Sequence, residues 1–220
     1  MVTKLHWQTY HTPENLTSLL IGEVGEISEI CVWLTKEQIL TNLQLKEHVI
    51  EELGDVVKGT LFLFNSLHLP ATIETLIAAK LDYENFIYPV SEFKGQSKYQ
   101  KLTLHAQKDI VVPALPTKNI VAPITIDELE QRAWANAKSR EWDKYYSPAS
   151  LCLGIFEDCS KIYTSFQRRT TIIANSHERM VWAIAGILIL SMRLHTYLEL
   201  DDLGKIIITK LDADYKRFSK

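Results

Sequence analysis

Two long apolar runs carry acids in pairs, and no other feature of the chain restricts its fold as much. The first, LLIGEVGEISEICVWL from Leu19 to Leu34, contains Glu23 and Glu26. The second, EHVIEELGDVVKGTLFLF from Glu47 to Phe64, contains Glu52 and Asp55. Each pair is spaced i,i+3, which places both carboxylates on one face of a helix. Leu20, Ile21, Val24, Ile27 and Ile30 surround the first pair, and Val49, Ile50, Leu53, Val56 and Val57 the second, so little of either helix is left for water. Two such helices must bury themselves against partners, and acids on the sides that meet gather four carboxylates. Like charges at that density repel unless a cation sits among them. An all-oxygen donor set suits a hard ion, Mg²⁺ or Mn²⁺. The plainer account, solvated acids on amphipathic helices, holds for any single Glu; the repeated spacing inside apolar runs argues against it here.

Boundaries follow from capping chemistry. Thr12-Pro13-Glu14 supplies a hydroxyl cap, a proline at the first helical position and an acid in the first turn; the helix it opens is predicted to reach about Leu34. A polar connector follows from Thr35 to about Leu43, then a second helix over roughly Leu45 to Leu67. A third restarts at Pro70 and Thr72 and reaches about Ile87, ahead of Pro89. Strand signals are weak, and three long apolar helices in sequence predict an all-α antiparallel bundle. From Pro89 to Pro123 the character changes: Gly95, Pro113, Pro116 and Pro123 punctuate a partly ordered linker. Thr125 to Glu128 is a capping box that opens a helix to about Ser139. Further helices are predicted from Ser147-Pro148 to about Phe166, from Ser176 to Tyr197, and from Asp201 to Phe218.

At 220 residues, 46% of them hydrophobic, the chain is long enough for one large core or two small ones. A formal net charge of -3 offers no basic footprint for nucleic acid. Cys31, Cys152 and Cys159 form no CxxC pair and read as free, buried thiols in a reducing compartment. The opening MVTKLHWQTY has no apolar signal core. The most apolar run, Met180 to Leu194, is interrupted by Arg193 and reads as too short to span a bilayer. The expectation is a soluble cytoplasmic protein, with the nucleus left open, and with neither a membrane nor a nucleic-acid partner.

The halves repeat. At an offset of 135, Trp7 meets Trp142, Tyr10 meets Tyr145, Thr12-Pro13 meets Ser147-Pro148, Leu16 meets Leu151 and Ile27 meets Ile162. At an offset of 130, Lys80-Leu81-Asp82 meets Lys210-Leu211-Asp212. The acids do not repeat: Glu23 faces Asp158, Glu26 faces Lys161, Glu52 faces Trp182 and Asp55 faces Ala185. The division expected is a unit over 1–105 that carries the chemistry, a linker over 106–124, and a degenerate, non-catalytic copy over 125–220.

Beyond spacing, the first half resembles the all-α nucleoside triphosphate pyrophosphohydrolases of the MazG type, closest to their dCTP pyrophosphatase branch. The likeness rests on Trp7-x3-His11-x-Pro13-x-Asn15-Leu16, Gly22-Glu23-Val24-Gly25-Glu26-Ile27, Trp33, Glu51-Glu52-Leu53-x-Asp55-Val56, Lys80-x-Asp82, Tyr88-Pro89-Val90 and Lys98-Tyr99. It implies a tandem pair of MazG-like helical bundle units and cleavage of a dCTP-like or modified pyrimidine nucleoside triphosphate to the monophosphate and pyrophosphate. It implies Mg²⁺ held by Glu23, Glu26, Glu52 and Asp55. Of these, Glu26 and Glu52 are expected closest to the chemistry, and the carboxylate expected to take up the proton of the attacking water is Glu26. Trp7, Trp33 and His11 would line the base pocket; Lys80, Asp82 and Tyr88 would lie at the phosphates. It further implies paired units, so that two tandem chains form a homodimer resembling a tetramer. The pattern is broken twice. Glu84 and Ile87 stand where the family has Asn and Arg, with Asn85 one place on. The helix that precedes the Trp-x3-His motif is kept only in the second half, from Ile126 to about Ser139.

Trp142 repeats Trp7 in the half without acids, which favours a packing role there; Trp33 has no such counterpart. The alternative to an enzyme is a nucleotide-binding sensor without turnover, motivated by the two departures. A third account, a purely structural helical module, predicts no response to metal at all.

Overall fold

The computed structural model describes residues 10–96, 113–117, 124–167 and 176–218, and all regular structure among them is helical. In chain order the α-helices are α1 Pro13–Cys31, α2 Lys36–Thr41, α3 Leu43–Ser66, α4 Ile73–Ile87, α5 Val90–Phe93, α6 Ile126–Ser139, α7 Pro148–Gln167, α8 Ser176–Tyr197 and α9 Leu203–Phe218, with a 3-10 turn at Trp142–Tyr145 before α7. Side-chain caps set several starts. The hydroxyls of Thr12 and Thr72 accept from the amides of Asn15 and Thr75, and Thr125 with Glu128 forms a reciprocal capping box. The connector after α1, expected to be irregular, holds the short helix α2, because Thr35 and Gln38 form a second capping box there.

The main apolar cluster is drawn from both halves, and a smaller one gathers Tyr88, Phe93, Ala137 and Trp142. Leu20, Val24 and Ile27 of α1, Val49, Leu53 and Val56 of α3, and Cys152, Ile155 and Ile162 of α7 are fully buried. Each such aliphatic side chain contributes about 1.5–3 kcal/mol on burial. Along α3 every residue from Glu52 to Thr60 is buried, so this helix is surrounded rather than amphipathic. The three cysteines are free and buried. α8 has the predicted bounds, and its 22 residues are long and apolar enough to cross a membrane by length and composition, but 83% of that apolar window is buried inside the bundle.

Two pairs of helix starts fall at the offsets noted in the sequence. α1 begins at Pro13 and α7 at Pro148; α4 begins at Ile73 and α9 at Leu203. The packing does not follow the order of the chain. α1 lies along α3 and α7, and α7 along α8, but α4 packs on α8 and α9 packs on α3. The last helix of each half therefore rests on the long helix of the other. Gly54 on α3 permits the α9 crossing, since a Cβ there would come within 3.2 Å of Ile206. α6 touches α4, α8 and α9, helices of both halves. Of the linker, residues 113–117 lie against the bundle: the Pro113 carbonyl accepts from the Trp182 indole at 2.9 Å, and Leu115 packs on the core.

Candidate metal centre

α1 and α3 meet along their apolar faces, and this alignment brings their acids together. One carboxylate oxygen from each of Glu23, Glu26 and Glu52 lies within 4.8 Å of the other two. Glu52 is 6% exposed. Its Oε1 faces His48 Nε2 at 3.1 Å, and its Oε2 is buried with no hydrogen-bond partner. Glu23 is half-buried and Glu26 exposed, so the cluster opens to solvent at Glu26. Burial, then the neighbouring Asp55 and Glu26, push the Glu23 carboxyl up to about 7. Burial and the adjacent Glu26 likewise raise Glu52. Glu26 can satisfy Glu52 Oε2 only by sharing a proton with it, so without a counter-ion the cluster holds on to protons.

Asp55 stands slightly apart. Its Oδ1 pairs with Lys58 at 2.5 Å and its Oδ2 with Lys210 of α9 at 2.6 Å. Lys58 also reaches Asp214 at 2.6 Å, and Lys210 reaches Glu51 at 3.0 Å. Burial works against both ammonium groups. Hydrogen bonds to Asp214 and Asp55 outweigh it at Lys58, and those to Asp55 and Glu51 at Lys210, so both pKa values are raised. Two cations and three anions thus alternate along the seam between α3 and α9.

A cleft of about 530 Å³ opens beside the acids, lined by Glu23 and Asp55 together with Tyr10, His11, Asn15, Lys58, Phe62, Lys210, Asp214 and Arg217 among others. Of the expected pocket residues His11 is here, half-buried and tilted against Phe62 with ring centroids 5.7 Å apart; burial lowers its pKa. Trp7 lies outside the described residues. Trp33 follows the end of α1, is 82% exposed, and does not line the cleft.

Lys80, Asp82 and Tyr88 do not line this cleft and make their contacts where α4 packs on α6 and α8. Lys80 Nζ stands 6.0 Å from the Trp182 ring centroid, Asp82 pairs with Arg132 at 3.1 Å, and Tyr88 is buried edge-on to Phe93 and Trp142. Burial and Glu84 push the Tyr88 hydroxyl up to about 12. Glu84 faces Arg193 at 2.8 Å inside the bundle, where Asn136 also bonds the guanidinium at 3.1 Å.

Lys58, Lys210, Asp214, Arg217 and His48 were not singled out by the sequence. Lys58 is i+3 from Asp55 and His48 is i,i−4 from Glu52, so helical spacing could have flagged both. Nothing local points α9 at α3; that depends on the crossing.

At the offsets of 135 and 130 no such acid cluster recurs among the described residues. Asp158 pairs with Lys161 at 2.7 Å and presses on α8, where a Cβ at Gly186 would lie 2.0 Å from its Oδ2. Trp182, in the place of Glu52, is buried.

These positions invite comparison with known proteins. The chain is similar to dCTP pyrophosphatase 1. It is 32% identical to that protein of Rattus norvegicus over 100 residues, 44% of this chain and 58% of the rat protein. Against dCTP pyrophosphatase 1 of Mus musculus it is 29% identical over 100 residues, with the same shares. The chain thus spans little more than half the length of the curated relatives it matches. No family model and no solved structure matches it. The similarity supports, at the level of the family, the resemblance drawn from the motifs.

Proposed function

We propose that the chain is a Mg²⁺-dependent nucleoside triphosphate pyrophosphohydrolase. Its substrates would be dCTP-like or modified pyrimidine (deoxy)nucleoside triphosphates, released as the monophosphate and pyrophosphate. The observation that carries the reading is the Glu23–Glu26–Glu52 cluster, with a buried Glu52 oxygen that nothing in the protein satisfies. A set of hard carboxylate oxygens held this close fits Mg²⁺ or Mn²⁺. When bound, such an ion supplies charge neutralisation and polarisation of phosphoryl oxygens.

The remaining work falls to side chains of this chain. Glu23, Glu26 and Glu52 would hold the ion. Glu26, the most exposed of the three, would accept the proton of a water that attacks the α-phosphorus as pyrophosphate departs. Lys210 and Arg217 line the cleft from α9 and would receive the phosphates. His11 and Phe62 would wall the nucleotide.

The crossing helices accommodate the first of the two departures from the family pattern. In this reading the halves are copies of one helical unit with their last helices exchanged, and the second serves as a built-in partner. An offset of 130 takes Ile87 to Arg217 and Glu84 to Asp214. The arginine absent from α4 is then present on α9, the helix that reaches the acids. Glu84, on α4, is engaged with Arg193 instead.

The test is pyrophosphate release from a panel of canonical and modified nucleoside triphosphates, with Mg²⁺ or EDTA, for the wild type and Glu52→Gln. Metal-dependent release abolished by the substitution is expected. If no triphosphate is turned over but nucleotide with Mg²⁺ still raises the melting temperature, the sensor account replaces the enzyme.

A further inference from the structure

The metal-centre reading above leaves Asp55 unassigned, and this inference rests on that reading. Both Asp55 oxygens are taken, one by Lys58 at 2.5 Å and the other by Lys210 at 2.6 Å. The three other carboxylates cluster without it. We infer that the centre takes a single divalent ion, and that the remaining positive charge needed by four gathered carboxylates is built into the chain as Lys58 and Lys210, which neutralise Asp55.

Charge and geometry agree. Four ionised carboxylates match two divalent ions; three match one, with a single negative charge left over. Neither lysine is a casual surface partner, since the side chains of Lys58, Asp55, Lys210 and Asp214 are each at most 19% exposed. Lys58 is anchored by two acids from different helices, Asp55 and Asp214, and Lys210 by Asp55 and Glu51. For Asp55 to ligate an ion, that ion would have to strip it from both lysines, leaving two mostly buried ammonium groups short of a counter-ion. Glu52 presents the opposite situation: a buried oxygen with no donor to lose. The chain itself thus divides its acids between a bound cation and its own ammonium groups.

The test is Mn²⁺ titration of the full chain without nucleotide, read by the loss of the free-ion electron paramagnetic resonance signal. Wild type is expected to bind one ion per chain. Asp55→Asn should still take up one ion per chain, more weakly because Lys58 and Lys210 lose a counter-charge beside the cation. Asp55→Asn combined with Lys58→Met and Lys210→Met should return the Kd to within about 3-fold of wild type, whereas loss of a true ligand would not be recovered. Glu52→Gln should abolish binding. Replacing both lysines, Lys58→Met with Lys210→Met, should free Asp55 and admit a second ion; this variant also decides the question if Asp55→Asn does not fold. Two ions on the wild type, a loss in Asp55→Asn that removing both lysines does not recover, or an unchanged single ion in the double-lysine variant would each overturn the inference while leaving the metal centre standing. No Mn²⁺ on the wild type, or full binding by Glu52→Gln, would instead remove the metal centre and the inference with it.

Discussion

Glu52→Gln should make the metal-free protein more stable and at the same time deprive it of stabilisation by Mg²⁺. Glu52 is buried, one of its oxygens has no donor, and two other carboxylates approach within 4.8 Å. Two unit charges at 4.8 Å repel by about 3.5 kcal/mol at an effective dielectric of about 20, and by about 0.9 kcal/mol in water. The site opens to solvent at Glu26; Glu23, pushed up to about 7, relieves part of the repulsion by holding a proton, and burial shifts Glu52 in the same direction. Against the gain stands a His48 contact at the surface, worth under about 1 kcal/mol. A net gain of about 1–2 kcal/mol at pH 7.5 is expected in EDTA. For a chain of this size each kcal/mol moves the melting temperature by about 2–4 °C, so the shift should be about 2–8 °C upward. With Mg²⁺ at about 100 times its Kd, wild type should gain about 2.7 kcal/mol and the variant almost nothing. Differential scanning fluorimetry with and without EDTA reads both quantities. A lower melting temperature for the variant in EDTA would show that Glu52 is satisfied by the fold itself, and the argument from repulsion would be wrong. An upward shift with no Mg²⁺ response in the wild type would leave a strained acid cluster without a ligand.

The pH dependence has a fixed sign. The folded Glu23 carboxyl titrates at about 7, above its ordinary 4.5, so the folded state binds more protons than the unfolded state between those values. Stability of the metal-free protein should therefore fall as pH rises from about 4.5 to 7, while Mg²⁺ stabilisation grows over the same range; melting curves of Glu23→Gln should lack this component. Arg193→Met takes from Glu84 a partner 2.8 Å away in the interior. It should cost about 3–5 kcal/mol, a fall of roughly 6–20 °C by circular dichroism, and the added change Glu84→Met should recover most of it. Arg217→Ala should raise KM for a triphosphate about 10-fold, the worth of one charge-assisted hydrogen bond, and move the melting temperature by under about 2 °C. An unchanged KM would detach α9 from substrate binding.

What could be read from the sequence, and what could not, divides along range of interaction. Thr12, Thr72 and Thr125 announce their helices because a cap acts over three residues. The i,i+3 acids announce the cluster because two helices with apolar faces have few ways to meet. Asp55 was expected among the ligands on spacing and resemblance; its lysine partners depend in part on α9, which lies more than 150 positions away in sequence. Lys80, Asp82 and Tyr88 are placed at the phosphates by the resemblance alone. Their surroundings on α6 and α8 follow from the crossing, which no local pattern encodes. Glu84 stood out only as a departure from the family pattern, since its partner Arg193 lies 109 positions along.

The crossing of α4 and α9 also bears on when the cleft exists during folding. α1 and α3 are close in sequence and can join early, and with them the three clustered acids. The wall formed by Lys210, Asp214 and Arg217 waits on contacts that close loops of 156 and 159 residues, the slow, entropically costly class of event. The acids therefore assemble with Lys58 already beside Asp55 but before Lys210 arrives, and each early intermediate carries a surplus of negative charge on α3. Divalent cations in the refolding medium should occupy that interval, acting on the order of assembly before they serve any chemistry.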